Sequence, residues 1–153
     1  MRPPGLADGA RMWQIARDSQ VLDVNASYAY LLWARDFAAT SVVAETEAGT
    51  VAGFVTGYRR PDRPDTLMVW QVAVDAAARG RGIAAAMVQH LLDTTGARWL
   101  ETTITADNPA SIALFGSVAE SRGCALQREQ LFEAAMFPDG HDAEMLFRIG
   151  PVS

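Results

Sequence analysis

The run Arg79-Gly80-Arg81-Gly82, followed by Ile83-Ala84-Ala85-Ala86-Met87, puts two arginines and two glycines where a helix is about to begin. A helix start presents unpaired N–H groups and a partial positive charge. Glycine lets a bulky anion come close to that backbone, and arginine adds charge-assisted hydrogen bonds to phosphate. Residues of these types at this spacing suit the holding of a pyrophosphate. The run is not a Walker loop, since no Gly-Lys-Ser/Thr ending is present. It also lacks the Gly-x-Gly-x-x-Gly spacing and the early βαβ unit of a dinucleotide site. A tight turn with solvated arginines would use the same residues. Nucleophilic chemistry finds less support, because no Ser-His-Asp or Cys-His arrangement is visible. Two histidines and the single Cys124, far apart in the chain, argue against a zinc site, and Cys124 has no partner for an internal disulfide.

The elements that must position this turn are read from periodicity. "TLMVWQVAVD" reads as a strand that is apolar on both faces, hence central, with Met68, Trp70, Val72 and Val74 sharing one face. From Gly82 the period becomes helical: Ile83, Met87 and Leu91 align, as do Ala84, Val88 and Leu92. "RWLETTIT" is the next strand. "DNPASIALFGSVAESRG" is predicted as a helix with Asn108 as N-cap, Pro109 in its first turn and Gly123 at its stop. Upstream, a helix from Asp8 places Met12, Ile15 and Ala16 on one face. A second helix, capped by Asn25 or Ser27, turns Tyr28, Leu31, Leu32 and Phe37 inward. "TSVVAETE" and "VAGFVTGYRR" form a hairpin joined at Ala48-Gly49, and "RPDRPD" is a proline-bounded loop. "CALQRE" and "AEMLFRIG" close the set. The order predicts an α/β (α+β) domain: one sheet with helices on both faces.

Length and charge narrow the class. The chain has 153 residues, half of them hydrophobic and a fifth charged, which suits a single domain over 1–153. No apolar run approaches the roughly 20 residues of a membrane span, and the N-terminus shows no secretory h-region, so a cytoplasmic protein without membrane partners is expected. The net charge of −5 disfavours nucleic acid, whose phosphates need a basic footprint. It fits a small cationic substrate, and equally ordinary solubility.

"VAVDAAARGRGIAAAMVQHLL" resembles the acetyl-CoA-binding segment of the GNAT N-acetyltransferases, whose Gln/Arg-x-x-Gly-x-Gly/Ala pattern is met by Arg79, Gly82 and Ala84. The resemblance implies a mixed central sheet of about six to seven strands. It implies a pyrophosphate on the amides of Arg79, Gly80, Arg81, Gly82, Ile83 and Ala84, with a pantetheine arm beside Val72 and Val74. Asn108 matches a family position that contacts the cofactor, and it serves as a plain N-cap besides. No metal is implied. The likeness then narrows. "LDVNASYAYLL", "TSVVAE", "GFVTGYRRPDRPDTLMVWQVAVD", "LETTIT", "DNPAS" and "HDAEMLFRIGP" are together similar to the diaminobutyrate acetyltransferases of ectoine synthesis, from about Asp8 to Pro151. The chain departs from the family in a first strand that is short or missing. It also carries Phe115 where many members have a tyrosine that protonates the leaving thiolate.

The narrower resemblance implies a reaction and a set of site residues. Acetyl passes directly from acetyl-CoA to the 4-amino group of L-2,4-diaminobutyrate, with a backbone N–H near Val72 stabilising the oxyanion. Two amines need anions, and Asp23 and then Glu144 are the candidates. Asp23 could instead cap a helix, and Glu144 could be a solvated strand residue. Trp70 is either core or a wall of the substrate pocket. His141 is a loop histidine that could remove a proton or orient Glu144. Glu101 is a candidate base, or an exposed strand glutamate. Tyr28 and Tyr30 are candidate hydroxyl donors, or core residues. For the substrate carboxylate the turn offers Arg59, Arg60 and Arg63, with Arg59 first. A homodimer is expected by the same analogy. Two other readings remain open: a GNAT enzyme acting on a different amine or a protein N-terminus, and an acyl-CoA-binding sensor without turnover.

Overall fold

Five runs rich in apolar residues and one exposed edge run, Ala125–Phe132, form one mixed sheet in the computed structural model, which describes residues 1–23 and 25–153. In chain order the elements are α1 (Gly9–Ser19), α2 (Ser27–Asp36), β1 (Val42–Glu45), β2 (Val51–Arg60), β3 (Arg63–Val74), α3 (Ile83–Thr95), β4 (Trp99–Ile104), α4 (Pro109–Arg122), β5 (Ala125–Phe132) and β6 (Glu144–Gly150). The strands lie side by side as β1-β2-β3-β4-β6-β5. β3 and β4 run parallel, since α3 carries the chain back between them, and the other neighbours are antiparallel.

Helices cover both faces, as the pattern of elements predicts. Met87, Val88, Leu91 and Leu92 of α3 pack with Phe115 and Val118 of α4 against Val55, Leu67, Val69, Leu100 and Phe147. On the other face Met12, Ile15 and Ala16 of α1 pack with Tyr30 of α2 against Val43, Phe54 and Ala73. Each large side chain removed from water in these layers contributes about 1.5–3 kcal/mol. α4 carries the expected caps: Asn108 Oδ1 accepts from the Ser111 N–H at 3.2 Å, Pro109 opens the helix, and Gly123 closes it at φ +60°.

The sheet departs from simple alternation at one place that matters. Thr56 pairs with Gln71, but the next residue, Gly57, pairs with Val69, so Trp70 is an extra residue in β3. This is a β-bulge, and it reverses the inside–outside order. Leu67 and Val69 before it, and Val72 and Val74 after it, all pack on the α3–α4 side, while Ala73 packs on the α1–α2 side. The expectation that Met68, Trp70, Val72 and Val74 share a face is therefore corrected. The bulge is stabilised by a local bond, the Gln71 N–H donating to Thr56 Oγ1 at 3.2 Å.

Other expectations are refined. α2 buries Tyr30 and Ala34, not Tyr28, Leu31 and Phe37, which are all exposed. Tyr30 can enter the core because its hydroxyl finds a buried acceptor there, Gln71 Oε1 at 2.9 Å. Neither Asn25 nor Ser27 is the cap residue of α2; that position is Ala26. The "RPDRPD" segment is a tight turn at Pro61-Asp62, with β3 already begun at Arg63. β5 extends to Phe132, well past "CALQRE". At the N-terminus a single bridge, Arg2 to Val43, stands in the place of a first strand.

Candidate active site

β3 and β4 pair from Thr66↔Trp99 to Val69↔Thr102 and no further, although β3 runs on to Val74 and β4 to Ile104. Thr102 Oγ1 donates to the Val69 carbonyl at 3.1 Å and marks the vertex of this wedge. Above the vertex the strand ends flank a cleft of about 630 Å3. Val69 to Val72 form one wall, Thr102 to Thr105 with Asp107, Asn108, Ser111 and Phe115 form another, and the segments around Asp23 and His141 complete it. A cleft where parallel strands part company at their C-terminal ends is a common ligand position in α/β sheets.

The Arg79–Gly82 turn follows the end of β3 and leads into α3. Gly80 and Gly82 have φ of +79° and +71°, a left-handed conformation that glycine adopts without strain. No side chain caps α3 at Gly82, so the N–H groups of its first turn remain open to an anion. Arg79 Nε donates to the Val74 carbonyl at 3.3 Å, which ties the turn to the end of β3. Val74 itself packs on the core of α3 and does not line the cleft.

Four acidic side chains line the cleft: Asp23, Asp107, Asp142 and Glu144. Among the described residues no lysine or arginine does. His141 sits between two of the acids, with Nε2 at 3.0 Å from Asp23 Oδ2 and 3.7 Å from Glu144 Oε1. Its Nδ1–H donates to the Asp142 carbonyl at 2.6 Å. A ring with acceptors at both nitrogens satisfies both only as the imidazolium. The His141 pKa is raised accordingly, by the Asp142 carbonyl first and by Asp23 and Glu144 besides. The Phe137 ring stacks on His141 at 4.4 Å and holds its plane. Burial pushes the Glu144 carboxyl above its usual range, against the pull of His141. Glu144 Oε2 is buried and has no hydrogen-bond partner among the described residues. A desolvated acceptor of this kind is costly unless a donor arrives. Trp70 lines the cleft and stacks on Trp33 of α2, centroids 4.3 Å apart at 26°.

The fold therefore brings Asp23, Trp70, Val72, Asn108, His141 and Glu144 to one cleft. It does not bring Glu101, Tyr28 or Arg59 there. Glu101 pairs with Met68 below the vertex, where β3 and β4 are still closed. Only 2% exposed, it is held by Arg148 and, at 3.3 Å, by Arg60. Tyr28 is 67% exposed on the outside of α2. Arg59 braces the β2–β3 hairpin, donating to the carbonyls of Pro64 and Thr95. Asp23 does not cap α2, and its carboxylate stands at the cleft mouth. Val24, beside it in "LDVN", lies outside the described residues. Sequence reasoning missed Asp107, Asp142, Gln71 and Trp33. Asp107, next to the N-cap Asn108, is the one whose place a strand–loop–helix reading could have found.

The chain matches the acetyltransferase (GNAT) family over residues 10–118. It is 60% identical to the L-2,4-diaminobutyric acid acetyltransferase of Streptomyces coelicolor, covering 98% of this chain and 91% of that protein. It is 55% identical to the enzyme of the same name from Nocardia farcinica, over 100% and 80%. Among solved structures it superposes on diaminobutyrate acetyltransferase EctA from Paenibacillus lautus, in complex with its substrate L-2,4-diaminobutyric acid and coenzyme A. The TM-score is 0.92 at 42% identity, covering 98% of this chain and 93% of that one. A ribosomal-protein-alanine N-acetyltransferase from Brucella melitensis, 22% identical with a TM-score of 0.76, shares the fold.

Proposed function

The chain belongs to the GNAT acetyltransferases and, within them, to the diaminobutyrate acetyltransferase family; we propose that it transfers acetyl from acetyl-CoA to the 4-amino group of L-2,4-diaminobutyrate. The product is 4-N-acetyl-L-2,4-diaminobutyrate, a step of ectoine synthesis and so of osmoprotection, carried out in the cytoplasm by one domain over 1–153. The observation that carries this reading is the buried Glu144 Oε2, without a hydrogen-bond partner among the described residues, in an acidic cleft. An ammonium hydrogen is the donor it lacks, and a diamine brings two such groups.

The chemistry comes from the groups present. An ammonium is no nucleophile, so it must lose a proton. A carboxylate whose pKa is raised by burial is a better base than one in water, and Glu144 is placed to accept that proton. Asp23 at the mouth holds the 2-ammonium, and Trp70 packs on the methylenes between the two nitrogens. The free amine attacks the thioester carbon and forms a tetrahedral oxyanion. β4 has left β3 at this height, and the Val72 N–H serves as the oxyanion donor, worth about 3 kcal/mol. Collapse breaks the C–S bond. The thiolate leaves, one of the two protons on the former amine nitrogen passes to the sulfur, the amide keeps the other, and Glu144 releases its proton to water. A thiol is acidic enough for its thiolate to depart without an acid beside it, which suits Phe115 in place of a tyrosine. Holding both reactants contributes about 7 kcal/mol or more when alignment is good. The pyrophosphate rests on the first turn of α3, with Arg79 and Arg81 beside it and Asn108 on the facing wall.

The protein works as a homodimer; the exposed pair Tyr28 and Leu31, one turn apart on α2, supports an apolar contact there. Thiol release from acetyl-CoA across diaminobutyrate, diaminopropionate, ornithine, lysine and peptides tests the activity, with the acetyl position mapped by NMR. Preference for diaminobutyrate with acetyl at N4 is expected. Release with peptides alone would overturn the assignment.

A further inference from the structure

Gln71 is a polar side chain, 5% exposed, with no part in the acetyl-transfer steps. It lies just after the bulged Trp70 in β3 and points to the α1–α2 side, where it meets two groups. Its Oε1 accepts from the Tyr30 hydroxyl at 2.9 Å. Its Nε2 donates to the carbonyl of Asp23 at 3.0 Å. That second bond ties the stretch between α1 and α2 to the sheet, across 48 positions of the sequence. Within the stretch itself, the N–H groups of Val21 and Leu22 reach Ser19 Oγ, and Asn25 Nδ2 reaches the same Asp23 carbonyl only at the long distance of 3.5 Å, against 3.0 Å for Gln71.

The amide can face only one way. The Asp23 carbonyl is an acceptor with no donor of its own, so the –NH2 end must point to it. The oxygen end must then face Tyr30, whose hydroxyl donates. Tyr30 is fully buried, so its hydroxyl has no water to turn to. A buried chain of this type, with every member satisfied, fixes its ends. The end that bears on function is Asp23, whose carboxylate is 81% exposed at the cleft mouth and meets His141 there.

We propose that Gln71 is the positioning residue of the substrate site: through the Asp23 carbonyl and the Tyr30 hydroxyl it sets where the Asp23 carboxylate stands, and so how the 2-ammonium of the diamine is gripped. This rests on the diamine reading of the cleft. Gln71 also lines the cleft, but both ends of its amide are taken up by Tyr30 and Asp23, so in this role it acts on the diamine through Asp23. Losing it lets the Asp23 segment drift while the acetyl-CoA turn, tied by Arg79 to the Val74 carbonyl, stays in place.

Steady-state kinetics of Gln71→Met test this, with each substrate varied in turn. Met keeps the volume and the unbranched shape and removes both hydrogen bonds. The expected result is a KM for diaminobutyrate raised about tenfold, with the KM for acetyl-CoA within about twofold. Tyr30→Phe should raise the same constant by a smaller factor, because Gln71 keeps its bond to Asp23. The decisive measurement is the cycle with Asp23→Ala. Once the carboxylate is gone its placement cannot matter, so Gln71→Met should add less than about twofold in that background. An unchanged diamine KM in Gln71→Met, or full additivity in the cycle, would overturn the role. Should Gln71→Met not fold, the Tyr30→Phe and Asp23→Ala cycle decides by the same criterion. Absence of diaminobutyrate acetylation by the unaltered protein would instead sink the proposed acetyl transfer, a distinct outcome.

Discussion

The α3 turn and the acidic clasp are built on opposite principles. The turn is made of backbone. Its donors are peptide N–H groups of adjacent residues, freed because Gly80 and Gly82 take positive φ and no side chain caps the helix. The clasp is made of side chains. His141 and Asp23 meet across 118 positions, and Glu144, three residues after His141, opens β6. A backbone site binds a group shared by every acyl-CoA, so nothing in it needs to vary with the acceptor. A side-chain site can be changed one residue at a time, which is how one fold serves many amines.

If the two halves are separable, the largest effect falls on the clasp. Glu144→Gln keeps the shape and removes the charge and the proposed base. A loss of about 10²–10³ in kcat/KM for diaminobutyrate is expected, while coenzyme A affinity, measured by calorimetry, stays within about twofold. A parallel fall in coenzyme A affinity would mean that the halves are one unit. The mirror experiment is Gly82→Val. At φ +71° a side chain is strained by about 1–2 kcal/mol, although nothing lies within 4 Å of the added Cβ. Coenzyme A binding should weaken about tenfold, with the diamine KM at saturating donor unchanged. The loss would then come from backbone conformation and not from a clash.

The same contrast governs what could be read from the chain alone. The turn was legible because all of its parts are local: Arg79, Gly82 and Ala84 span six residues, and the change to helical period at Gly82 announces the helix. The central position of β3 was legible from its double apolar face. The bulge was not, because an extra residue leaves no mark when both neighbours, Val69 and Gln71, read as strand. Its consequence was a wrong face for Met68 and Trp70. The face of α2 was misjudged for a related reason. Tyr30 enters the core only because Gln71 offers it an acceptor, and that partner lies 41 positions away. The clasp was found as separate residues, through resemblance, and its geometry depends on the tertiary fold.

A finer division inside the clasp concerns protons. The imidazolium of His141 lowers the Glu144 pKa, while burial raises it more. In His141→Gln the acidic limb of the kcat/KM profile should therefore move to higher pH, with several-fold loss near about pH 6. The two profiles should converge once the wild-type imidazole is neutral. Stability should share the same window. A histidine whose folded pKa is raised contributes its full stability below its unfolded value of about 6.5 and loses it as pH climbs through the folded value. The melting-temperature gap between wild type and His141→Gln should be widest in acid and close in alkali. A constant gap would show that Phe137 stacking, and not charge, makes the contact.

The smallest catalytic effect is expected at Glu101, and it marks the lower limit of the site. Glu101 lies one position below the last β3–β4 pair, so the closed strands separate it from the cleft. Its carboxylate is bound by Arg60 and Arg148, and Arg148 also lies 4.1 Å over the Trp99 ring. Two cations around one buried anion make a structural tie between β2, β4 and β6. Removing the anion leaves both guanidiniums with reduced pairing but some access to water, at a cost of about 2–3 kcal/mol, below that of a fully buried pair because the guanidiniums are partly exposed. Glu101→Gln should thus melt earlier and yet turn over diaminobutyrate within about twofold of wild type, per folded molecule. A base would behave in the opposite way, with unaltered melting and kcat down by about 10² or more. Melting and turnover measured on the same preparation separate the two, because a tie and a base move different quantities.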